Sequence, residues 1–384
     1  MKVKLYSAAM TATDKTERLS LAKVCPIVLQ PAKLFIGDYM KKLVCAFAAT
    51  AALSLSVSAY NPPVQGENLF YLSHPESLTG GISTAGGGIL SVTPASTAIN
   101  PALGALEKRI SLDLGYTMMF DSVGPDKYGQ AFETGIIVPT DWANFSAEIE
   151  GVFVPFANMH LENNINLKTS ASKQILDNLY VGIGIFGGGF WGSGGDWMLA
   201  ANIGAIYNFG DIAFLKNLRI GASLNNIGKL YNNADVIGIN SSALNGWPSF
   251  PTFLTIRAGA AAELVRLENF ALGLSLDVTT PLFQNVIFDT GVQIEIAHFL
   301  RINSSWHFNA RETYRGRSSW LPTVGIVCKF NIGTNFLKKD DWSRSEVCPS
   351  VAWKNVDGDI NLISAGAVVR LGELDTSGPV IEME

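Results

Sequence analysis

From about residue 109 to 371 the chain alternates. Ile110, Leu112, Leu114, Tyr116, Met118 and Phe120 take turns with Ser111, Asp113, Gly115 and Thr117. Phe270, Leu272, Leu274, Leu276 and Val278 do the same with Ala271, Gly273, Ser275, Asp277 and Thr279. A period of two marks a strand whose faces meet different surroundings. These segments run ten residues or more. Ordinary strands run about five or six, whereas about 9–11 tilted residues cross a bilayer. The pattern predicts fourteen strands: 109–120, 129–138, 143–154, 156–166, 178–187, 197–208, 218–227, 252–264, 269–279, 286–297, 299–308, 320–331, 346–356 and 360–371. An even number of antiparallel strands closes into a barrel with no unpaired edge in lipid. Leu112, Leu114, Leu272, Leu274, Ile294 and Ile302 then face outward, and the Asp, Glu, Gln, Asn and Gly of the other face line the lumen. Trp197, Tyr207, Trp306 and Trp320 lie near strand ends, as interfacial girdles require. Arg266-Leu267-Glu268 and Asp357-Gly358-Asp359 read as tight turns, and 228–251 as a long polar surface loop. The expected fold class is all-β, a closed antiparallel transmembrane barrel of about 14 strands.

Residues 60–108 break the alternation. They are small and turn-prone, with Gly86-Gly87-Gly88 and the stretch Thr93 to Ala102. They either form a linker outside the barrel or fold into its lumen as a plug. A barrel of this width leaves a hole unless something fills it, so a hatch over 60–108 is expected. Upstream, Met40-Lys41-Lys42 precedes an uncharged run, Leu43 to Ala59, ending Val57-Ser58-Ala59. That is a positive n-region, an apolar h-region and a small-residue cleavage site. The alternative, a membrane helix, is at the short limit of span. Residues 40–59 are therefore expected to be a signal peptide. Residues 1–39 are either a non-native extension upstream of a start at Met40 or a cytoplasmic leader, and 372–384 form a polar tail.

Composition agrees with a chain that meets an apolar solvent. Charged residues make up 16%, against about 25% in soluble domains. Residues 1–59 hold eight Lys/Arg and three Asp/Glu, so the remainder carries 20 basic and 30 acidic residues, a net of −10. An acidic, exported chain gives no reason to expect nucleic acid as a partner. Beyond residue 59 only Cys328 and Cys348 remain. Cys328 shares a face with Val324 and Ile326 and Cys348 with Ser350, which points to two free thiols rather than a bridge.

Ser96-Thr97-Ala98-Ile99-Asn100-Pro101-Ala102 resembles the hatch segment of the FadL-type long-chain fatty-acid transporters of the bacterial outer membrane. Val154-Pro155-Phe156 is similar to that family's Pro-Phe-Gly step, with Ala157 in place of the glycine. The order of signal peptide, hatch and about fourteen strands also fits. Closer still, the chain looks like a spirochaete (treponemal) group of FadL-related outer-membrane proteins. The chain lacks the terminal aromatic residue usual in such barrels. The resemblance implies passive uptake of hydrophobic or amphipathic small molecules, long-chain fatty acids first, past a hatch carrying Asn100, Pro101 and Ala102. It also implies a lateral opening at a kink in the third strand, with Gly151, Pro155 and Phe156 as candidates; a bulge at a loop corner is an equal reading of Gly151 and Pro155.

The chemical motifs are weaker. Gly182-x-Gly184-x-x-Gly187 matches a dinucleotide fingerprint, but Gly188-Gly189-Phe190-Trp191-Gly192 follows where a helix is required. Glycines packed against a plug explain it better. Ser305-x-His307 places a hydroxyl and an imidazole on one lumenal face, with no carboxylate assignable by spacing. His74 and His160 stand alone, and no metal-ligand spacing is present. No enzyme activity, metal or cofactor is expected. Expected lumenal charges are Asp113, Glu133, Glu148, Glu150, Arg257, Asp277, Asp289, Glu295 and Arg301. They either pair among themselves, or Arg257 or Arg301 meets a substrate carboxylate. Val152, Phe186, Met198 and Ile206 make the inward faces unusually apolar for a water-filled pore. The reading from another class is a structural or adhesive surface barrel that binds proteins through its loops.

Overall fold

The structure, a computed structural model, describes residues 65–123, 128–154, 162–192, 194–231, 253–314, 319–332 and 345–372. The signal-peptide expectation, the stretch before it, the tail beyond 372, most of the 228–251 loop, and Pro155, Phe156 and His160 lie outside the described residues.

The strands are β1 (Ile110–Asp121), β2 (Tyr128–Pro139), β3 (Asn144–Val154), β4 (Glu162–Leu176), β5 (Leu179–Trp191), β6 (Gly195–Ile212), β7 (Leu215–Lys229), β8 (Thr255–Leu267), β9 (Phe270–Pro281), β10 (Ile287–Ile296), β11 (Leu300–Asn309), β12 (Thr323–Cys328), β13 (Phe330–Ile332), β14 (Ser345–Val356) and β15 (Ile360–Leu371). β12 and β13 are two pieces of one wall strand, broken where the Lys329 N–H turns to the Phe299 carbonyl. The wall therefore has fourteen strands. Each pairs antiparallel with its sequence neighbours, and β15 pairs with β1 from Ile110↔Leu371 to Asp121↔Ile360, which closes the barrel. Links of two residues join β4–β5, β6–β7 and β8–β9 at one end, where the barrel's first and last residues also lie. The other end carries the long connections from β7 to β8 and from β11 to β12 beside the three-residue links β5–β6 and β14–β15, while the twelve-residue link from β13 to β14 lies at the first end.

The alternation places the faces as expected. In β1, Leu114 is 61% exposed while Asp113 is 3% exposed. Leu112, Leu274 and Leu276 are exposed and Leu272, Ile294 and Ile302 half-buried, while Ser275 and Asp277 are buried. Trp142, Phe214, Phe299 and Phe330 stand exposed near the short-turn end, and Trp191, Trp197, Trp306 and Trp320 near the other.

One strand is misplaced by the sequence reading. β4 starts at Glu162 and runs to Leu176, whereas 156–166 was expected. Its outward face continues past Leu167 as Thr169, Ala171 and Lys173, only half-buried. Small and polar residues there hide the apolar period. Cys328 and Cys348 are free.

Residues 65–108 lie inside the wall. Their path starts at the long-loop end, where the Gln65 N–H donates to Glu312 Oε1 at 2.7 Å. It finishes at the short-turn end, where Asn144 Nδ2 donates to the carbonyls of Gly104 and Glu107. Between them the segment makes short turns rather than strands. Thr93 caps the helix Pro94–Ile99 through a capping box with Ser96, and Asn100 caps the 3-10 turn Pro101–Leu106. Two apolar clusters hold it. Leu69, Phe70, Leu72 and Leu78 pack with Met119, Val152, Phe186 and Phe190 towards the long-loop end. Val92, Ala102 and Leu103 pack with Ile137 and Ile206 towards the other.

Candidate functional site

The seam between segment and wall is built from glycines and buried polar groups. Asn100 is fully buried. Its Nδ2 donates to the Thr84 carbonyl at 2.8 Å and to Ala205 of β6 at 3.3 Å, while its Oδ1 accepts from Ala102 N–H. Pro101 sets the first residue of the next turn. A Cβ on Gly204 would overlap Asn100 Oδ1, and one on Gly182 would overlap the Pro101–Ala102 peptide. A Cβ on Gly184 would meet Pro101 Cγ at 3.4 Å, whereas Gly187 meets only Leu199 Cδ1 and the Met198 carbonyl, at 3.6 and 3.9 Å. The glycine string is thus a strand face against a proline, apart from its third glycine. Around the rest of the wall, Arg219 Nε donates to the Ala85 carbonyl at 3.0 Å, Ser223 Oγ to Ile99, and Arg370 Nη2 to Val92. Asp277 Oδ1 accepts from Thr84 N–H, and Gln293 Oε1 from Ile89 N–H.

Arg257 faces a lumenal cavity of about 60 Å³. The segment supplies Tyr71, Leu72, Leu78, Ile82 and Ile99 to its lining, and the wall supplies Asp277, Asp289, His307 and Lys354. Arg257 Nη2 donates to Asn68 Oδ1 at 3.2 Å, and its guanidinium lies over the Tyr71 ring at 5.0 Å. Its Nε is buried without a partner. Among the described residues no carboxylate lies within ion-pair distance of Arg257 or Lys354. Burial pushes the Tyr71 phenol up, so it stays a neutral donor. His307 Nδ1 lies 2.6 Å from Asp289 Oδ1, and its Nε2 is buried without a partner. Asp289 is the carboxylate that spacing could not assign. Ser305 Oγ, however, is engaged with Thr323 Oγ1 at 2.6 Å. The cavity therefore brings Arg257 and Lys354, neither in direct contact with a carboxylate among the described residues, together with Asp277 and the Asp289–His307 pair beside an apolar floor.

Arg301 sits elsewhere. It donates to Glu295 Oε2 at 2.9 Å near the short-turn end. Both line a second cavity, about 240 Å³, with Glu107, Arg109, Glu346 and Arg370. There Arg370 Nε meets Glu107 Oε2 at 3.1 Å and Arg109 meets Glu346 at 3.1 Å. This cavity shares no lining residue with that at Arg257. Gly151 is covered on the outer face by the Phe132 ring. The β3–β4 ladder is continuous past it, from Asn144↔Ser172 to Val154↔Glu162.

A third concavity faces outward, not into the lumen. It measures about 610 Å³ and is lined by Ala205, Ala222 and Ala258 between Ile203, Leu224 and Ile256.

The wall and its inner segment together define the comparison with known proteins. No protein-family model matches the chain, and no curated protein does. Solved structures do. The chain shares the fold of a toluene transporter. That protein, TbuX of Ralstonia pickettii, aligns with TM-score 0.50 and 12% identity over 80% of this chain and 100% of its own. The TodX monoaromatic hydrocarbon channel, as a deltaS2 mutant, aligns with TM-score 0.50 and 10% identity over 80% and 100%. A Pseudomonas aeruginosa FadL homologue aligns with TM-score 0.42 and 12% identity over 76% and 96%.

The sequence reading missed Lys168, Arg219 and Lys354 as lumenal cations; all three are buried. Arg219 and Lys354 have the parity of the inward faces of their strands, opposite to Ile220, Leu224 and Val351, so alternation alone could have found them. Lys168 lay beyond the expected end of the fourth strand.

Proposed function

We propose that this chain is an outer-membrane channel for hydrophobic or amphipathic small molecules, with long-chain fatty acids as cargo and residues 60–108 as its hatch. The observation that carries this reading is the cavity at Arg257. Arg257 and Lys354, neither within ion-pair distance of a carboxylate among the described residues, sit beside Leu72, Leu78, Ile82 and Ile99. Arg257 and Lys354 would take a carboxylate, and the apolar side would take the start of a chain. The cavity has room for a headgroup, so the tail would displace the segment's apolar contacts with Phe186 and Phe190. Burial of each CH₂ yields about 0.8 kcal/mol, so a long tail outweighs its ordering cost where a short one does not. The two neighbours that align at TM-score 0.50, a toluene transporter and a monoaromatic hydrocarbon channel, support hydrophobic cargo in general. Asn100, Pro101 and Ala102 would form the hatch's anchor. Export through residues 40–59, the spirochaete kinship and a lateral exit near Gly151, Pro155 and Phe156 belong to the same reading.

Refolded barrel titrated with eight-, twelve- and sixteen-carbon acids below their micelle concentrations, with toluene alongside, tests it. Affinity should rise with chain length, and the acid should bind more tightly than its methyl ester. Arg257→Gln should remove that acid–ester difference. Toluene binding without acid binding would keep a hydrocarbon channel and discard fatty acids. A second reading, a surface barrel that binds proteins, is favoured by the packed lumen. Absence of binding for every probe would leave that reading standing.

A further inference from the structure

The inward faces of β1–β3 carry four buried carboxylates: Asp113, Glu133, Glu148 and Glu150. Register sets them side by side. Glu133 pairs directly with Glu150, and Asp113 and Glu148 flank Gly135. The segment closes over them, with Ser73 against Gly115 and Pro94 against Gly135. Among the described residues one cation pairs with them. Lys168 Nζ lies 2.9 Å from Glu148 and 2.9 Å from Glu150. The cluster thus holds three negative charges in excess, out of water. Such an excess is untenable in a low-dielectric interior.

Geometry removes one of the three. Ser73 Oγ lies 2.7 Å from Glu133 Oε2 and 2.8 Å from Glu150 Oε1. A hydroxyl has a single proton, so one of these carboxyls carries its own and donates back. His74 removes none. Its Nδ1 accepts the Glu76 N–H, so the imidazole is neutral with its proton on Nε2. Two negative charges remain.

Unpartnered carboxylate oxygens and closely spaced donor groups both fall within this cluster. Asp113 Oδ1, Glu133 Oε1 and Glu148 Oε2 are buried and accept no hydrogen bond. One donor atom from each of Glu133, Glu148 and Glu150 lies within 4.8 Å of the others, as it does for His74, Asp113 and Glu133. Independently of the acids, the fully buried His74 Nε2–H has no acceptor in place, and a ring nitrogen of His74 lies within 4.8 Å of donor oxygens of Asp113 and Glu133. It offers a hydrogen bond to an oxygen that is not part of the protein.

We propose that Glu133, Glu148 and Glu150 hold one divalent cation between the barrel wall and the N-terminal segment, with Asp113 and His74 reaching it through water. Oxygen-only donors select a hard ion of the Ca²⁺ type, or Mn²⁺ in its place, with water completing the shell. His74 is the donor that orients one of those oxygens. The ion fastens Ser73–His74 and Ala95 to β1–β3, since the Ala95 N–H already bonds Asp113 Oδ2 at 3.0 Å. This inference needs the barrel but not the transport reading.

The test uses the full refolded barrel in detergent free of lipopolysaccharide, stripped with chelator. Added Ca²⁺ should raise the thermal midpoint, and Mn²⁺ should show one tight site by electron paramagnetic resonance. Glu133→Gln with Glu148→Gln removes two ligands without removing volume, so the variant should fold, keep its stripped-state midpoint or gain, and lose both signals. A midpoint indifferent to Ca²⁺ and Mn²⁺ would overturn the proposal and leave protons to neutralise the cluster. Metal effects that survive in the double variant would overturn it too, by placing the ion elsewhere.

Discussion

At the scale of single residues, the seam depends on what is missing from glycine. A Cβ on Gly221 of β7 would overlap the Thr84 carbonyl, a backbone group that cannot swing aside. A Cβ on Gly187 of β5 would meet nothing nearer than 3.6 Å. Gly221→Ala should therefore destabilise the folded barrel by about 1–3 kcal/mol through overpacking, and Gly187→Ala should be close to neutral. Urea midpoints of the two variants decide it; equal midpoints would mean that the segment does not press on the wall at Thr84. Residue chemistry was only partly legible in the chain. Arg257 was readable because its strand alternates cleanly. The Asp289–His307 pair was not, because its partners lie eighteen residues apart and meet only through the β10–β11 register. The pairing of Arg301 with Glu295 across a tight turn is the kind of local contact that sequence can suggest.

At the scale of elements, the strands were legible because a lipid-facing wall imposes one demand at every second position. Where that demand slackens, as in β4 beyond Leu167, the strand boundary was lost. The turns of residues 65–108 were not legible as elements. Pro94–Ile99 and Pro101–Leu106 have six residues each, too few to show a helical period. Their caps, Thr93 and Asn100, were visible as residues but had no neighbouring pattern to define them. The outward face yields a direct check. Leu274 of β9 is exposed and pairs with Val292 and Ala262 on the same side of the sheet. Leu274→Arg should cost about 2–4 kcal/mol in a bilayer if it lies near the midplane. Folding titrations into lipid vesicles and into detergent should separate, with the larger penalty in lipid. Equal and small penalties in both would place Leu274 away from hydrocarbon.

At the scale of the whole molecule, closure and filling are separate achievements. Closure follows from an even number of wall strands, which the periodicity contained. Filling depends on one segment touching strands from β1 to β15, so it appears only once the wall is built. The acidic cluster shows the same limit: its members come from three strands, and no spacing along the chain joins them. The filled lumen makes a prediction about ion flow. With residues 65–105 in place, the seam contacts at Asn100, Arg219 and Arg370 leave little room for water. Deleting 65–105 would leave the wall ladders intact and solvate the inward polar face. Conductance in a planar bilayer should then rise from near zero to that of an open pore. The sign of its selectivity follows from the wall. Among the described residues Asp113, Glu133, Glu148 and Glu150 have only Lys168 as an ion-pair partner in this sector. Once hydrated, those carboxylates ionise and attract counter-ions into the lumen. The deleted barrel should therefore pass cations in preference to anions, read as the reversal potential across a potassium chloride gradient. Glu133→Gln with Glu148→Gln in the deleted barrel should move that potential towards zero. Unchanged conductance on deletion would mean that residues 65–105 are not what closes the pore, and an anion-selective pore would mean that the acidic sector does not line the water-filled path.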